Sequence, residues 1–573
     1  MKDLSKEILA YALKNAIEFG KADAGRILPK LFQHGLDKKE IKEVMPIIEA
    51  IAKGVNALSK ESREKEFELV KGLVKEREEK EKDLPELPNL EGGVVTRMPP
   101  EPSKYAHIGH AISFLLNYLS AKRYGGKSFL RFDDANPEKV SQEYVDAMLE
   151  DIEGYLGIKP DGIKYVSDDM ELMYKYAEKL IAFEKVYVCS CERKQMQDSR
   201  HSGKECLCRK ADSKKTLEEW GKMLKGTYKG GQVVLRIKGD MSAQNQVMRD
   251  PVLFRIVEAK HFRKGTKYKV WPMYDFYSPI EDDLMGITHI LRSNEFDQRI
   301  ELQALLSKLL GLREQTIIQY GRIGVLDGTT KGREIRELVA SGEYVGWDDP
   351  RLVTLKALKR RGIKKEVIYE LVKQTGLAQK ESFIDFAMIA SLSRKLIDAQ
   401  TPRFFFVEDP VRVEVKDAPN IEHVHLPVHP DRDEKRTIKL GENLFISNED
   451  VSKLKGKEVR FLHLYNIKLS SKISKRQGLK ILERTQEPSE KFLTKEISGD
   501  FTTLENKNIP KIHWISEGIA VRVFMPDATW KEGIGEEGLM NLNIGDVVQF
   551  ERFGFVKLDT KKEDVLEFWF THD

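Results

Sequence analysis

The stretch from Val94 to Phe132 constrains the fold more than any other part of the chain. Val94–Met98 reads as a short β-branched strand. The PPEPSKYA loop behind it cannot be helical, because its prolines remove backbone donors and fix φ. From Ile108 to about Arg123 the apolar residues Ile112, Leu115, Leu116 and Leu119 share one face of a helix. Gly125-Gly126 stops that helix, and Ser128–Phe132 reads as the next strand. Strand, helix and strand in this order predict a parallel, nucleotide-binding sheet.

The 573 residues are enough for several domains. Residues 1–90 read as a helical N-terminal domain, with Ile8, Leu9, Ala12, Leu13 and Ile17 at helical spacing and a highly charged helix over 61–83. The segment LPELPNLEGG is a linker. A Rossmann-type catalytic domain is expected over 91–180 and 271–335, split by an insertion over 181–270. Helical patterns run from about 295 to 400, with 336–402 as a helical connecting domain. Short alternating strands over 403–573, such as VRVEV and IAVRVFM, predict C-terminal antiparallel β-barrels. The fold class is therefore multidomain α/β.

Lys and Arg number 96 against 92 Asp and Glu, a net charge of +4 that neither demands nor excludes a nucleic-acid partner. Such a partner would be held by local basic patches. One candidate is the run Lys260 to Lys269, where aromatics interleave with cations, although a solvated loop explains the same letters. No apolar run approaches the ~20 residues of a membrane span. The N-terminus reads as an amphipathic helix rather than a signal peptide. The expectation is a cytoplasmic protein. In a reducing compartment the pairs Cys189/Cys191 and Cys206/Cys208 point to metal rather than disulfides. Two thiolate pairs brought together by a hairpin suit a tetrahedral, structural Zn2+, with His201 as an alternative ligand.

The chemistry concentrates at His107-Ile108-Gly109-His110, just after a strand and at the start of a helix. A helix N-terminus attracts anions through its free N–H groups and its dipole. Two histidines there, with a glycine allowing close approach, can hold a triphosphate and stabilise charge on phosphorus during attack. This sequence resembles the HIGH signature of class I aminoacyl-tRNA synthetases. The surrounding text is similar to their glutamyl/glutaminyl subgroup: Arg97-Met98-Pro99-Pro100-Glu101-Pro102, Leu130-Arg131-Phe132-Asp133-Asp134-Ala135-Asn136-Pro137, Val247-Met248-Arg249-Asp250-Pro251-Val252, Pro272-Met273-Tyr274-Asp275-Phe276, Gly346-Trp347-Asp348-Asp349-Pro350-Arg351 and Ile512-His513-Trp514-Ile515-Ser516. The barrel-type C-terminus resembles the archaeal and eukaryotic branch.

The resemblance implies an amino-acid pocket in which Arg97 meets a substrate carboxylate, Asp133 takes the α-amino group and Tyr274 lies on the floor. It implies ATP-binding by His107, Gly109, His110, Arg322 and Lys331, and catalysis by His107, His110 and Lys331. The family's lysine-serine-lysine loop, expected after Tyr320-Gly321-Arg322, reads here Asp327-Gly328-Thr329-Thr330-Lys331-Gly332-Arg333. Lys331 and Arg333 keep the charge and Thr330 stands for the serine, a departure from the pattern. The glycines suit a loop that closes over ATP.

In the resemblance Arg292, within His289-Ile290-Leu291-Arg292-Ser293-Asn294-Glu295-Phe296, decides the substrate, because the glutaminyl branch has an uncharged residue at the corresponding place. A planar guanidinium fork suits a carboxylate. Facing a neutral amide it would be a buried cation without a counter-charge, which is costly. Glutamate is favoured over glutamine, and the alternatives are that Arg292 faces tRNA or an acidic neighbour such as Glu295. The resemblance then implies ATP-dependent charging of tRNA(Glu), with Mg2+ on the phosphates. In part of this branch tRNA(Gln) is a second partner. A monomer is expected, and a glutaminyl enzyme is the alternative reading.

Overall fold

A computed structural model of the chain describes residues 4–75, 84–326, 329, 331–441, 443–474 and 495–573, and of residue 38 the backbone alone. Contacts divide the chain into Met1–Lys82 and Asp83–Asp573, slightly before the boundary expected near residue 90.

Among its described residues the first unit holds four α-helices: α1 (Ser5–Phe19), α2 (Ala24–Leu31), α3 (Ile41–Ala57) and α4 (Lys60–Val70). Ile8, Leu13, Ile27, Leu31, Val44 and Ile48 form its core. Asp23 and Ser59 cap α2 and α4 by accepting N–H groups from Arg26 and Ser62. The charged helix expected over 61–83 ends in a 3-10 turn at Lys71–Leu73, and its last residues, 76–83, lie outside the described ones.

The second unit begins with the predicted β1 (Val95–Met98), α5 (Ile108–Arg123) and β2 (Lys127–Phe132). Gly126 is required at the join, since a Cβ there would lie 1.9 Å from Val94 O. Strand β1 pairs in parallel with β2, and β2 with β3 (Ile163–Tyr165). Helix α6 (Gln142–Leu149) precedes β3. Helix α7 (Met170–Ala182) leads into the insertion, whose elements are β4 (Val186–Cys189), α8 (Arg193–Ser202), α9 (Ser213–Lys225), β5 (Val234–Ile237), β6 (Val252–Ile256) and, at its end, β7 (Val270–Pro272). Its four strands form an antiparallel sheet in sequence order.

The chain returns through α10 (Tyr274–Leu284), β8 (His289–Ser293), α11 (Ile300–Leu310) and β9 (Thr316–Tyr320). Strand β8 pairs in parallel with β9 and runs beside β1, where Thr288 N–H donates to Val95 O at 3.0 Å. The sheets β1-β2-β3 and β8-β9 thus lie edge to edge, and their combined order β3-β2-β1-β8-β9 follows a Rossmann arrangement whose switch point lies between β1 and β8. Ligand-binding groups are expected at the C-terminal ends of those strands. Met98, Ile112, Leu115, Leu116, Leu130, Phe132 and Leu291 fill the layer between α5 and the sheet.

The helical reading of 295–400 is corrected by three strands within it: β9, β10 (Ile323–Val325) and β11 (Ser382–Ile384), the last two paired in parallel. Thr316-Ile317-Ile318 is β-branched, and the sheet claims it as an outer strand. Helices α12 (Gly332–Ala340), α13 (Leu355–Arg361), α14 (Lys365–Thr375) and α15 (Phe386–Ile397) make up the rest.

Beyond Arg403 lie barrel-like sheets. A seven-stranded one joins Phe406–Glu408 to the strands after Gly518, and a six-stranded one spans Pro410–Lys416 to Lys511–Ile512. Most pairs are antiparallel, but Pro410–Lys416 pairs in parallel with Glu496–Thr503, and Gly518–Phe524 with Val565–His572. The Ile512-His513-Trp514-Ile515-Ser516 segment sits where the sheets meet. Trp514 is fully buried with Nε1–H donating to Leu462 O, and His513 Nε2–H donates across to Phe406 O.

Candidate active site and metal centre

His107 caps α5. Its Nδ1 accepts the Gly109 N–H at 3.1 Å, and His110 Nδ1 accepts the His107 N–H at 3.2 Å. With both Nδ1 atoms acting as acceptors, the protons of the neutral rings sit on Nε2. The rings are neutral because burial, helped by the nearby charge of Lys104, pushes His110 down to about 3. Burial, His110 and Lys104 hold His107 well below the usual histidine range. The result is two N–H donors, ring centroids 3.9 Å apart, at the positive end of a helix. Gly109 is needed here, since a Cβ would come within 3.0 Å of the His107 ring. The segment is anchored from outside by Ile108 N–H to Val353 O and Leu355 N–H to Ala106 O, at 3.0 and 2.9 Å.

The expected pocket residues cap neighbouring strands. Arg97, near the end of β1, is 1% exposed and donates from Nε to Asp282 at 3.0 Å. Its NH1 is buried without a partner among the described residues. Asp133, just past β2, accepts from Arg131 Nε at 2.7 Å, and Arg131 NH1 donates to the same Asp282 oxygen at 2.7 Å. The four side chains form one buried relay, Asp133–Arg131–Asp282–Arg97. A carboxylate has about four acceptor directions, so Asp133 keeps capacity for a further donor. Sequence reasoning missed Asp282 and Arg131 as members of this site. The signal was there, in three consecutive acids, Glu281, Asp282 and Asp283, at the end of a helix whose middle is largely apolar.

Tyr274 opens α10, its ring 5.4 Å from Phe296 and 5.8 Å from Tyr277. Arg292, on β8, is 5% exposed. Its NH1 donates to Gln303 Oε1 at 2.7 Å, while Nε and NH2 are buried without a partner among the described residues. Glu295, the acidic neighbour weighed above, lies 3.5 Å from Arg322 instead.

The second signature loop is only partly brought to these groups. Lys331 precedes α12, is largely exposed and pairs with Glu334 at 2.8 Å, and Arg333 pairs with Glu337. Arg322 is likewise exposed. Thr330, with Asp327 and Gly328, lies outside the described residues. The start of α12 does rest on the proline loop, with Arg336 donating to Ser103 O and Gly332 against the Lys104 stem. Lys104 is a further residue the sequence reading passed over, although it sits three places before His107. In the Lys260–Lys269 run three of the five cations are paired at or near the surface, Arg263 and Lys264 with Asp168 and Lys267 with Glu171, while His261 is buried against Asp134 O.

The four cysteine sulfurs lie within 4.8 Å of one another, with Cys189–Cys206 and Cys191–Cys208 both at 3.9 Å. A tetrahedral zinc with bonds near 2.3 Å needs sulfur separations of about 3.8 Å, so these residues fit the ion. Burial and the adjacent sulfurs push the Cys191 thiol up. Around them, Arg236 NH1 approaches Cys189 at 3.6 Å and Tyr187 OH approaches Cys206 at 3.6 Å. Helix α8, not a plain hairpin, joins the two pairs, and His201 on that helix falls outside the cluster.

Sequence comparison bears on the same residues. Family models for tRNA synthetases class I (E and Q) match the chain: the catalytic domain over residues 93–399 and the anti-codon binding domain over 401–484 and 511–559. A Glutamate–tRNA ligase of Pyrococcus furiosus is 37% identical over 98% of both chains, and that of Pyrococcus abyssi 38% over 97%. The Methanocaldococcus jannaschii Glutamate–tRNA ligase is 36% identical over 98% of both. Among solved structures, a glutamate tRNA ligase from Elizabethkingia meningosepticum in complex with its amino acid is 17% identical over 54% of this chain and 70% of that one, with a TM-score of 0.39. A Rossmann sheet with paired histidines at its first helix, followed by barrel-like sheets, agrees with matches that run almost end to end: the chain belongs to the class I tRNA synthetases of the E and Q group.

Proposed function

We propose that this enzyme attaches glutamate to tRNA(Glu). An oxygen of the glutamate α-carboxylate attacks the α-phosphorus of ATP, the bond to the β-phosphate breaks, and pyrophosphate leaves. A terminal ribose hydroxyl of the tRNA then attacks the glutamyl carbonyl, and AMP leaves with the bonding pair. The observation that carries the choice of amino acid is Arg292: a buried guanidinium that, among the described residues, has two nitrogens without a partner and no carboxylate bonded to it. The γ-carboxylate of glutamate offers two acceptors and the compensating charge. The amide of glutamine offers one acceptor and no charge, so a glutaminyl enzyme would leave the cation buried at a cost.

In this reading Arg97 points its free NH1 at the substrate α-carboxylate, Asp133 accepts from the α-ammonium, and Tyr274 forms the floor. His107 and His110 donate from Nε2 to the phosphate oxygens as charge builds up on them. Gly109 lets the phosphates approach, and Lys331 and Arg322 close on them from the exposed loop. Mg2+ arrives with ATP and neutralises phosphate charge. Cys189, Cys191, Cys206 and Cys208 hold a structural zinc within the insertion, residues 181–270, which meets the acceptor end of the tRNA. Residues 403–573 meet the anticodon. We assign the enzyme to the cytoplasm as a monomer. Aminoacylation of both tRNAs with both amino acids tests the proposal: glutamyl-tRNA(Glu) is expected, and stable glutaminylation without glutamylation would overturn it.

A further inference from the structure

We infer that Gln303 sets the preference for glutamate over glutamine by keeping the Arg292 charge available to substrate, an inference that rests on the reading of Arg292 above. Gln303 projects from α11 and is 7% exposed. Its Oε1 accepts from Arg292 NH1 at 2.7 Å, and its Nε2 faces Asp275 Oδ1 at 3.5 Å. Chemistry fixes the amide this way round: a guanidinium only donates and a carboxylate only accepts. Gln303 is thus a neutral spacer between a buried cation and a buried carboxylate, both at most 7% exposed. Asp275 is itself taken by Arg299, whose NH1 bonds its other oxygen. Among the described residues the one group bonded to Arg292 therefore orients the guanidinium without neutralising it, and Nε and NH2 have no partner there. A carboxylate in place of the Gln303 amide would form a charge-assisted internal pair and mimic the substrate.

Gln303→Glu is nearly isosteric and keeps the acceptor, so a purely structural role would tolerate it. In pyrophosphate exchange, the variant should raise KM for glutamate by on the order of 10²-fold. kcat at saturation and KM for ATP should stay within about twofold, and glutamine should be used no worse than before. An unchanged KM for glutamate overturns the proposal. Arg299→Ala reaches the same charge by another route, because it frees Asp275 for Arg292; it should raise KM for glutamate by about tenfold. If Gln303→Glu is inactive with both amino acids, Arg299→Ala decides, and an unaltered KM for glutamate there is refuting. Arg292→Ala separates the two levels of the argument. If it keeps its preference for glutamate, the reading of Arg292 itself fails. If it loses that preference while Gln303→Glu does not, the role of Gln303 alone is refuted.

Discussion

Replacing Arg292 by alanine removes one buried guanidinium with two open nitrogens. In the proposed complex both nitrogens donate to the γ-carboxylate, and hydrogen bonds to charged groups contribute about 1.5–3 kcal/mol each. Loss of the pair also strands the substrate charge in a desolvated pocket, and such truncations cost roughly 2–5 kcal/mol. That corresponds to a KM for glutamate raised by roughly 30- to 5,000-fold. KM for ATP should be spared, because Arg292 bonds only Gln303 among the described residues and neither His107 nor His110. Glutamine, which brings no charge, should be used no worse. ATP–pyrophosphate exchange with each amino acid measures all three quantities. A variant that loses ATP or tRNA binding but keeps its preference for glutamate would refute the assignment.

Alanine at His107 or His110 should lower the exchange rate by roughly 10²–10³ with the fold retained, the usual loss for one transition-state donor; an unaltered rate in the double variant would place the phosphates elsewhere. Both rings are neutral in the folded chain far below the ordinary histidine value of 6.5. Below that value the unfolded chain takes up protons first, so this contribution to stability is complete above about pH 6.5 and is lost as pH falls toward 3; urea midpoints between pH 7 and 5 check the sign, and a rise on acidification would contradict it. Protein purified without chelator should carry one zinc per chain, and Cys206→Ser should release it, whereas prompt reaction of all four native thiols with a thiol reagent would exclude the site.

What could be read from the sequence was mostly local. Strand β1, helix α5 and strand β2 fell where prolines, glycines and apolar spacing placed them, because each of those signals acts within a few residues. Arg292 was legible for a different reason: the resemblance marked its position, and a guanidinium held away from water needs a counter-charge. The relay through Asp282 was hidden because Arg97 and Asp282 stand 185 residues apart, and nothing in their neighbours specifies the meeting. Gln303 was equally silent, since a glutamine on a helix reads as a surface residue until α11 turns it onto Arg292. The parallel pairings of the C-terminal strands were out of reach too. Period-2 alternation reports which face is buried but not which strand lies alongside.

The central claim is that this site selects glutamate and delivers it to tRNA. The most direct test is charging of purified tRNA(Glu) by the native protein with labelled glutamate and, separately, labelled glutamine, both with ATP. Glutamyl-tRNA(Glu) should accumulate with one AMP released per charge, and glutamine should give no stable product. Stable glutaminyl-tRNA in the absence of glutamyl-tRNA would contradict the account.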